Sequence, residues 1–193
     1  MKFKIFALLF FVWFFFIRDE SVSYGPGVSI VTEPIQSKTN LIQPFDFKGY
    51  DITPLASFDI EAKILSKENY RFDKESKLSP VDLALGWGRM SDEHVIEQIE
   101  ISQSGRWYHW QTRHFPIPRR EIETHSANMH MIPANSEVES ALSRVHKGEL
   151  VHIKGYLIRA ENAQGYIWES SLTRNDTGSH ACEVIFVNSI EKL

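Results

Sequence analysis

The chain has 193 residues, 24% of them charged, a formal net charge of −4 and a single cysteine, Cys182. That length admits one domain plus a targeting segment, and one cysteine rules out an intramolecular disulfide framework. Without Lys2, Lys4 and Arg18 the remainder holds 18 basic against 25 acidic residues, a net charge of −7, and its densest basic cluster is the pair Arg119-Arg120. Phosphate neutralisation supplies most nucleic-acid affinity, so no nucleic-acid partner is expected.

Met1-Lys2-Phe3-Lys4 is a short basic start, followed by an unbroken apolar run over 5–17 and then Arg18-Asp19-Glu20. Positive charge ahead of the run places the N-terminus in the cytoplasm and the body outside. As a helix the run covers about 20 Å, against a hydrocarbon core of roughly 30 Å. That length suits a signal peptide, and Ser21-Val22-Ser23 offers small residues for cleavage before Tyr24. The three charges directly after the run and its seven aromatic side chains favour retention, with Lys4 and Arg18 snorkelling to the interfaces. Residues 1–23 are therefore expected to be a signal-anchor or signal peptide, with retention preferred. The membrane is a partner through residues 5–17, in a single-pass inner-membrane protein whose C-terminal domain is periplasmic.

Residues 24–56, with Pro26, Pro34, Pro44 and Pro54 and no helical periodicity, are expected to form an extended tether. Phe58, Ile60, Ala62 and Ile64 alternate with charged residues and predict a half-buried strand. Ser79-Pro80 reads as the start of a short helix over 81–85, stopped by Gly86 and Gly88. Ser91 reads as the cap of a second helix with Val95, Ile96 and Ile99 on one face. A strand is expected over 105–112 and a long loop over 115–133. Ser136 with Glu139 makes a capping box, and Val138, Ala141, Leu142 and Val145 form one helical face ended by Gly148. Strands over 150–160, 166–172 and 180–190 close the chain. The fold expected over 57–193 is a small α+β domain, a mostly antiparallel sheet or partly open β-barrel with two or three short helices. The order of strands and helix is loosely that of an oligonucleotide/oligosaccharide-binding barrel.

His125 and His130 are five residues apart, so neither a helix nor a strand brings their rings together and only a loop would. His180 and Cys182 share a strand face, but no acid or second cysteine completes a ligand set, so no metal and no cofactor is expected. Asp59 and Glu61 lie roughly 7 Å apart on one strand face, a spacing open to paired carboxylates and more common on a solvated sheet. Trp107 and Trp110 point to opposite faces of a strand, so the candidate aromatic surface is one-sided. The polar stretch 170–178 carries Arg174 and Asp176. If it meets the expected loop around His125, Asn128 and His130, those five residues make one polar site at an end of the sheet.

Gly25-Pro26-Gly27-Val28, residues 50–56, the run from Leu83 to Ser91, residues 125–130, and residues 170–178 with Ala181-Cys182-Glu183 together resemble an uncharacterised family of bacterial, N-terminally anchored inner-membrane proteins. The resemblance spans most of the body and implies a membrane-anchored exported domain, with no activity or catalytic residues attached. The reading adopted is a non-enzymatic binding or scaffolding module of the cell envelope with a protein or glycan partner. The alternatives are an envelope hydrolase using the 125–130 and 174–178 loops, and a subunit of an envelope assembly.

Overall fold

The computed structural model describes residues 21–39, 42–173 and 182–193. The N-terminal run 5–17 lies outside them, as do Arg174, Asp176 and His180. Among the described residues no helix is long and apolar enough to cross a membrane. The chain is mostly strand with a few short helices.

The long strand β3 (Tyr50–Asn69) is the spine. It pairs antiparallel with β1 (Ile35–Lys38) and β2 (Phe45–Phe47), and through its C-terminal part with β4 (Val81–Gly86). Along 50–63 it also pairs with β8 (Leu150–Asn162). β4 pairs with β7 (Ser126–Pro133), which runs parallel to β10 (Glu183–Lys192). β10 returns antiparallel to β8, and β8 carries the short β9 (Ile167–Glu169). The pairings of β3, β4, β7, β10 and β8 therefore run in a cycle. A separate hairpin joins β5 (Glu100–Ser104) to β6 (Trp107–Gln111).

Alternation along these strands sorts side chains onto two faces. One face holds Phe58, Ile60, Ile64, Leu83, Leu85, Met129, Met131, Ile153 and Ile185 in the main core. The helix α3 (Ser136–Arg144) joins that core through Val138 and Leu142. It is capped by Asn135, whose side chain accepts from the Val138 amide, one residue earlier than the expected Ser136. At its other end Lys67 Nζ donates to the carbonyls of Leu142, Ser143 and Val145 at 2.8–2.9 Å, satisfying orphan acceptors. The other face carries two apolar clusters. One forms around Ile132, Ile158 and Phe186, and the other around Leu65, Met90, Ile99 and Ile122, where a bulge between Ile64 and Ser66 turns Leu65 outward.

Several expected elements differ. The helix predicted over 81–85 is strand β4, every residue of which is buried; a short run buried on both faces has no periodicity to separate strand from helix. The loop predicted over 115–133 is a short helix α2 (Arg119–Thr124) followed by β7, a strand at the centre of the sheet. His125 is the C-cap of α2, and the polar Ser126, Asn128 and His130 alternate with Ala127, Met129 and Met131 along β7.

Within the stretch expected to be a tether, β1, β2 and the start of β3 take part in the sheet. Ahead of them, residues 21–33 form a strap across the body. Ser91 Oγ accepts the amides of Ser29 and Ile30, and Asp92 Oδ1 accepts that of Gly27. Glu93, the first residue of helix α1 (Glu93–Ile96), accepts from Ser23 Oγ, the amides of Tyr24 and Gly25, and the buried Lys63 Nζ. Ser91 thus serves the strap, and Asp92 caps α1. Gly148, at φ 89°, lets Val22 O approach so closely that a Cβ would sit 1.9 Å from it.

Candidate functional site

The β5–β6 hairpin turns on Gly105 and Arg106, at φ 56° and 71°, with Ser104 opposite Trp107. Positive φ at both central residues is the two-residue turn whose twist suits a hairpin, and the second position favours Gly or Asn over arginine. Arg106 offsets that strain by using its whole guanidinium. Nε and Nη2 form a fork on Asp73 at 2.8 and 2.9 Å, and Nη2 also donates to Ser79 O at 2.9 Å. Nη1 donates to Asp82 Oδ1 at 3.0 Å and lies 3.4 Å from Ser79 Oγ. The guanidinium stacks on Tyr70, 3.8 Å from the ring centroid, and faces Trp168 at 5.5 Å. Its backbone amide donates to Tyr70 Oη, and its carbonyl accepts from Asn128 Nδ2.

Asp82 is fully buried, and its second oxygen lies 2.9 Å from His130 Nδ1, a close contact without hydrogen-bond alignment. A chain of polar contacts thus runs Asp73–Arg106–Asp82–His130, roofed by Trp168, whose ring centroid is 4.8 Å from that of His130. Burial tends to raise the Asp73 carboxyl, but the bonds from Arg106 outweigh it and hold the pKa below the ordinary value. Burial, with Asp82 beside it, pushes the Tyr70 phenol up to about 12. Asn128 stands beside this chain, taking Gln103 Nε2 at 2.6 Å. The cluster bolts the hairpin tip to β4, to β7 and to the loop between β3 and β4.

The predicted site residues divide accordingly. Asn128 and His130 belong to the cluster. His125 does not: its Nε2 is 3.1 Å from Glu33 Oε1, and the same carboxylate takes Trp87 Nε1 at 2.9 Å. A strand spacing of five residues holds the two histidines roughly 17 Å apart. Asp59 bonds His152 at 2.6 Å and Glu61 takes Thr32 Oγ1, the solvated-sheet arrangement. Among the described residues no three His, Cys, Asp or Glu side chains converge as metal ligands.

Trp107 and Trp110 lie on opposite faces of β6. Trp110 packs with Tyr108 and Ile101 inward, against the apolar cluster around Leu65 and Met90, and burial raises the Tyr108 phenol to about 12. Trp107 is 47% exposed on the outer face. Along that face the cross-strand pairs are Ser104 with Trp107, Ser102 with His109 and Glu100 with Gln111, all six exposed. The row runs into a cleft of about 610 Å³ lined by residues 97–100 and 111–114. Sequence reasoning missed the Arg106 hub, since its hydrogen-bond partners lie 22 to 36 residues away in chain order. The available signal was the alternation of Ile99 and Ile101 with Glu100 and Ser102 ahead of the Ser-Gly turn. No protein family, no curated protein and no solved structure matches the chain.

Proposed function

We propose that this chain is a binding module of the bacterial cell envelope, held at the outer face of the inner membrane by residues 5–17, and that its ligand is a glycan strand lying along the outer face of the β5–β6 hairpin. The observation that carries this reading is the hairpin's attachment. A two-stranded hairpin is marginal on its own, yet here every guanidinium donor of Arg106 is spent on fixing its tip. Rigid presentation lowers the ordering cost of binding. The presented face suits a sugar: an exposed indole for stacking, then hydroxyl, imidazole, carboxylate and amide groups in cross-strand steps, then a polar cleft within the usual ligand-pocket range. From Trp107 to Gln111 the row extends roughly 14 Å, longer than a single ring needs.

The cycle β3–β4–β7–β10–β8, with its one parallel pair and a helix between its third and fourth strands in chain order, has the strand order we assign to a partly open oligonucleotide/oligosaccharide-binding barrel. In such barrels the face of the second and third strands binds ligand. Here the corresponding face of β4 and β7 is taken up by Asp82, Asn128, His130 and Arg106, and the hairpin in front of it offers the free surface. The hydrolase alternative has less support, because His125 and His130 serve separate partners. Co-sedimentation with purified cell-wall glycan tests the reading: the full chain is retained and Trp107→Ala is not. Equal retention of both would refute it.

A further inference from the structure

The loop between β3 and β4 presents a second surface, distinct from the hairpin. Tyr70 lies under the Arg106 guanidinium and Asp73 is forked by it, so the two intervening residues, Arg71 and Phe72, project as a short tip whose base is fixed on both sides. The rest of the loop is also tied down. Ser76 and Ser79 donate their amides to Asp73 O and Glu75 O, and Leu78 is buried as an anchor. Phe72 is nevertheless 99% exposed.

The charge around the tip opposes that of the body. Arg71, Lys74 and Lys77 are exposed in the same loop, and Lys48, in the turn between β2 and β3, joins them by donating to Lys77 O at 3.0 Å. Of the nearby acids, Asp73 is held by Arg106, Glu75 accepts the hydroxyl of Tyr166, a neutral donor whose pKa burial and that carboxylate raise to about 12, and Asp46 and Asp51 are exposed in the β2–β3 hairpin beside Lys48. With Asp73 and Arg106 cancelling, the four cations outnumber Glu75, Asp46 and Asp51 by one, so the surroundings of the protruding phenylalanine are slightly basic on a body of net charge −7. Basic residues flanking an exposed aromatic are the chemistry of attachment to an anionic lipid surface, where the ring enters the headgroup region and the cations meet phosphate.

We infer that the Arg71–Phe72 tip, with Lys48, Lys74 and Lys77, docks the domain against the anionic phospholipid surface of the membrane that holds it. This rests on the anchoring proposed above and adds an orientation, with this loop turned toward the bilayer.

The test reconstitutes the full chain into vesicles of phosphatidylcholine, alone or mixed with phosphatidylglycerol. Phe72→Cys in a Cys182→Ser background carries a polarity-sensitive fluorophore. The expected result is a blue shift and quenching by lipid brominated in its acyl chains only where phosphatidylglycerol is present, reversed by high salt and lost in Lys74→Glu/Lys77→Glu. A label that stays in water with phosphatidylglycerol, or is quenched equally without it, overturns the inference. Lysine acylation of the unsubstituted chain gives a measurement independent of variant folding. Lys74 and Lys77 should be protected several-fold by the mixed vesicles, with Lys154 unchanged. Equal protection by soluble polyglutamate would overturn the lipid assignment in favour of an acidic protein. Vesicle flotation separates the two readings: a chain that floats with its label in water loses the docking and keeps the anchor. A chain that floats only with phosphatidylglycerol loses the anchor and keeps the docking.

Discussion

Replacing Arg106 should destabilise the domain in an order set by two separate effects. Arg106→Ala leaves Asp82, fully buried, without its cation and strips Asp73 of a bidentate partner. Removing one member of a buried pair costs about 3–5 kcal/mol, a large share of the 5–15 kcal/mol that holds a typical domain. Alanine also keeps the strain of φ 71°, which glycine relieves by roughly 1 kcal/mol, so Arg106→Gly should be the milder of the two. Arg106→Lys keeps the charge but cannot fork Asp73 and reach Asp82 together, for a loss of about 2 kcal/mol. The expected ranking is thus Lys mildest, Gly next and Ala worst. Urea unfolding of a chain beginning at Ser21, followed by tryptophan fluorescence and far-ultraviolet circular dichroism, measures it. A double-mutant cycle with Asp82→Asn should give a coupling of about 1.5 kcal/mol or more, because the neutral amide no longer needs the cation. An Arg106→Ala variant within about 0.5 kcal/mol of wild type, or a glycine variant less stable than the alanine one, would refute the clasp.

Acid should loosen the strap through Glu93. Burial opposes its ionisation, but bonds from Lys63, Ser23, Tyr24 N and Gly25 N outweigh that effect and bring the pKa from 4.5 down to about 2. A depressed carboxylate contributes stability that is present above pH 4.5 and lost as pH falls toward 2, so amide exchange at Tyr24 and Gly25 should quicken over that window and lose the dependence in Glu93→Gln. A chain shortened to begin at Phe45 removes β1 and the core residue Ile30 and leaves Ser91, Asp92 and Glu93 without the strap. It should melt several degrees below a chain beginning at Ser21, by at least the cost of burying one aliphatic side chain, about 1.5–3 kcal/mol; equal melting temperatures would show that the strap contributes nothing.

What could be read from the sequence follows from how far apart the partners lie. β8 and α3 were legible because their signals are local: alternation of Val151, Ile153 and Leu157 in one, a polar start and a periodic apolar face in the other. The one-sidedness of β6 was legible for the same reason. β4 and β7 were not. β4 has both faces covered, and its Ser79-Pro80 preface imitates a helix start while Ser79 in fact serves Arg106. In β7 the residues that break the apolar pattern, Ser126, Asn128 and His130, are bonded to Tyr108, paired to Gln103 and set against Asp82. Polar residues that find partners across the fold look like loop residues when read in order. Asn128 and His130 therefore lie in a strand where a loop is expected, and His125, at the end of the preceding helix, does not join them.

¹⁹F resonances of a chain beginning at Ser21 and labelled with fluorotryptophan report directly whether ligand meets Trp107. Soluble cell-wall glycan fragments should shift the Trp107 line in a saturable way and leave those of Trp110 and the fully buried Trp87 in place. No shift at any tryptophan would contradict the proposal. So would a shift confined to Trp168, since it would move recognition from the outer face of the hairpin to the roof of the Arg106 cluster.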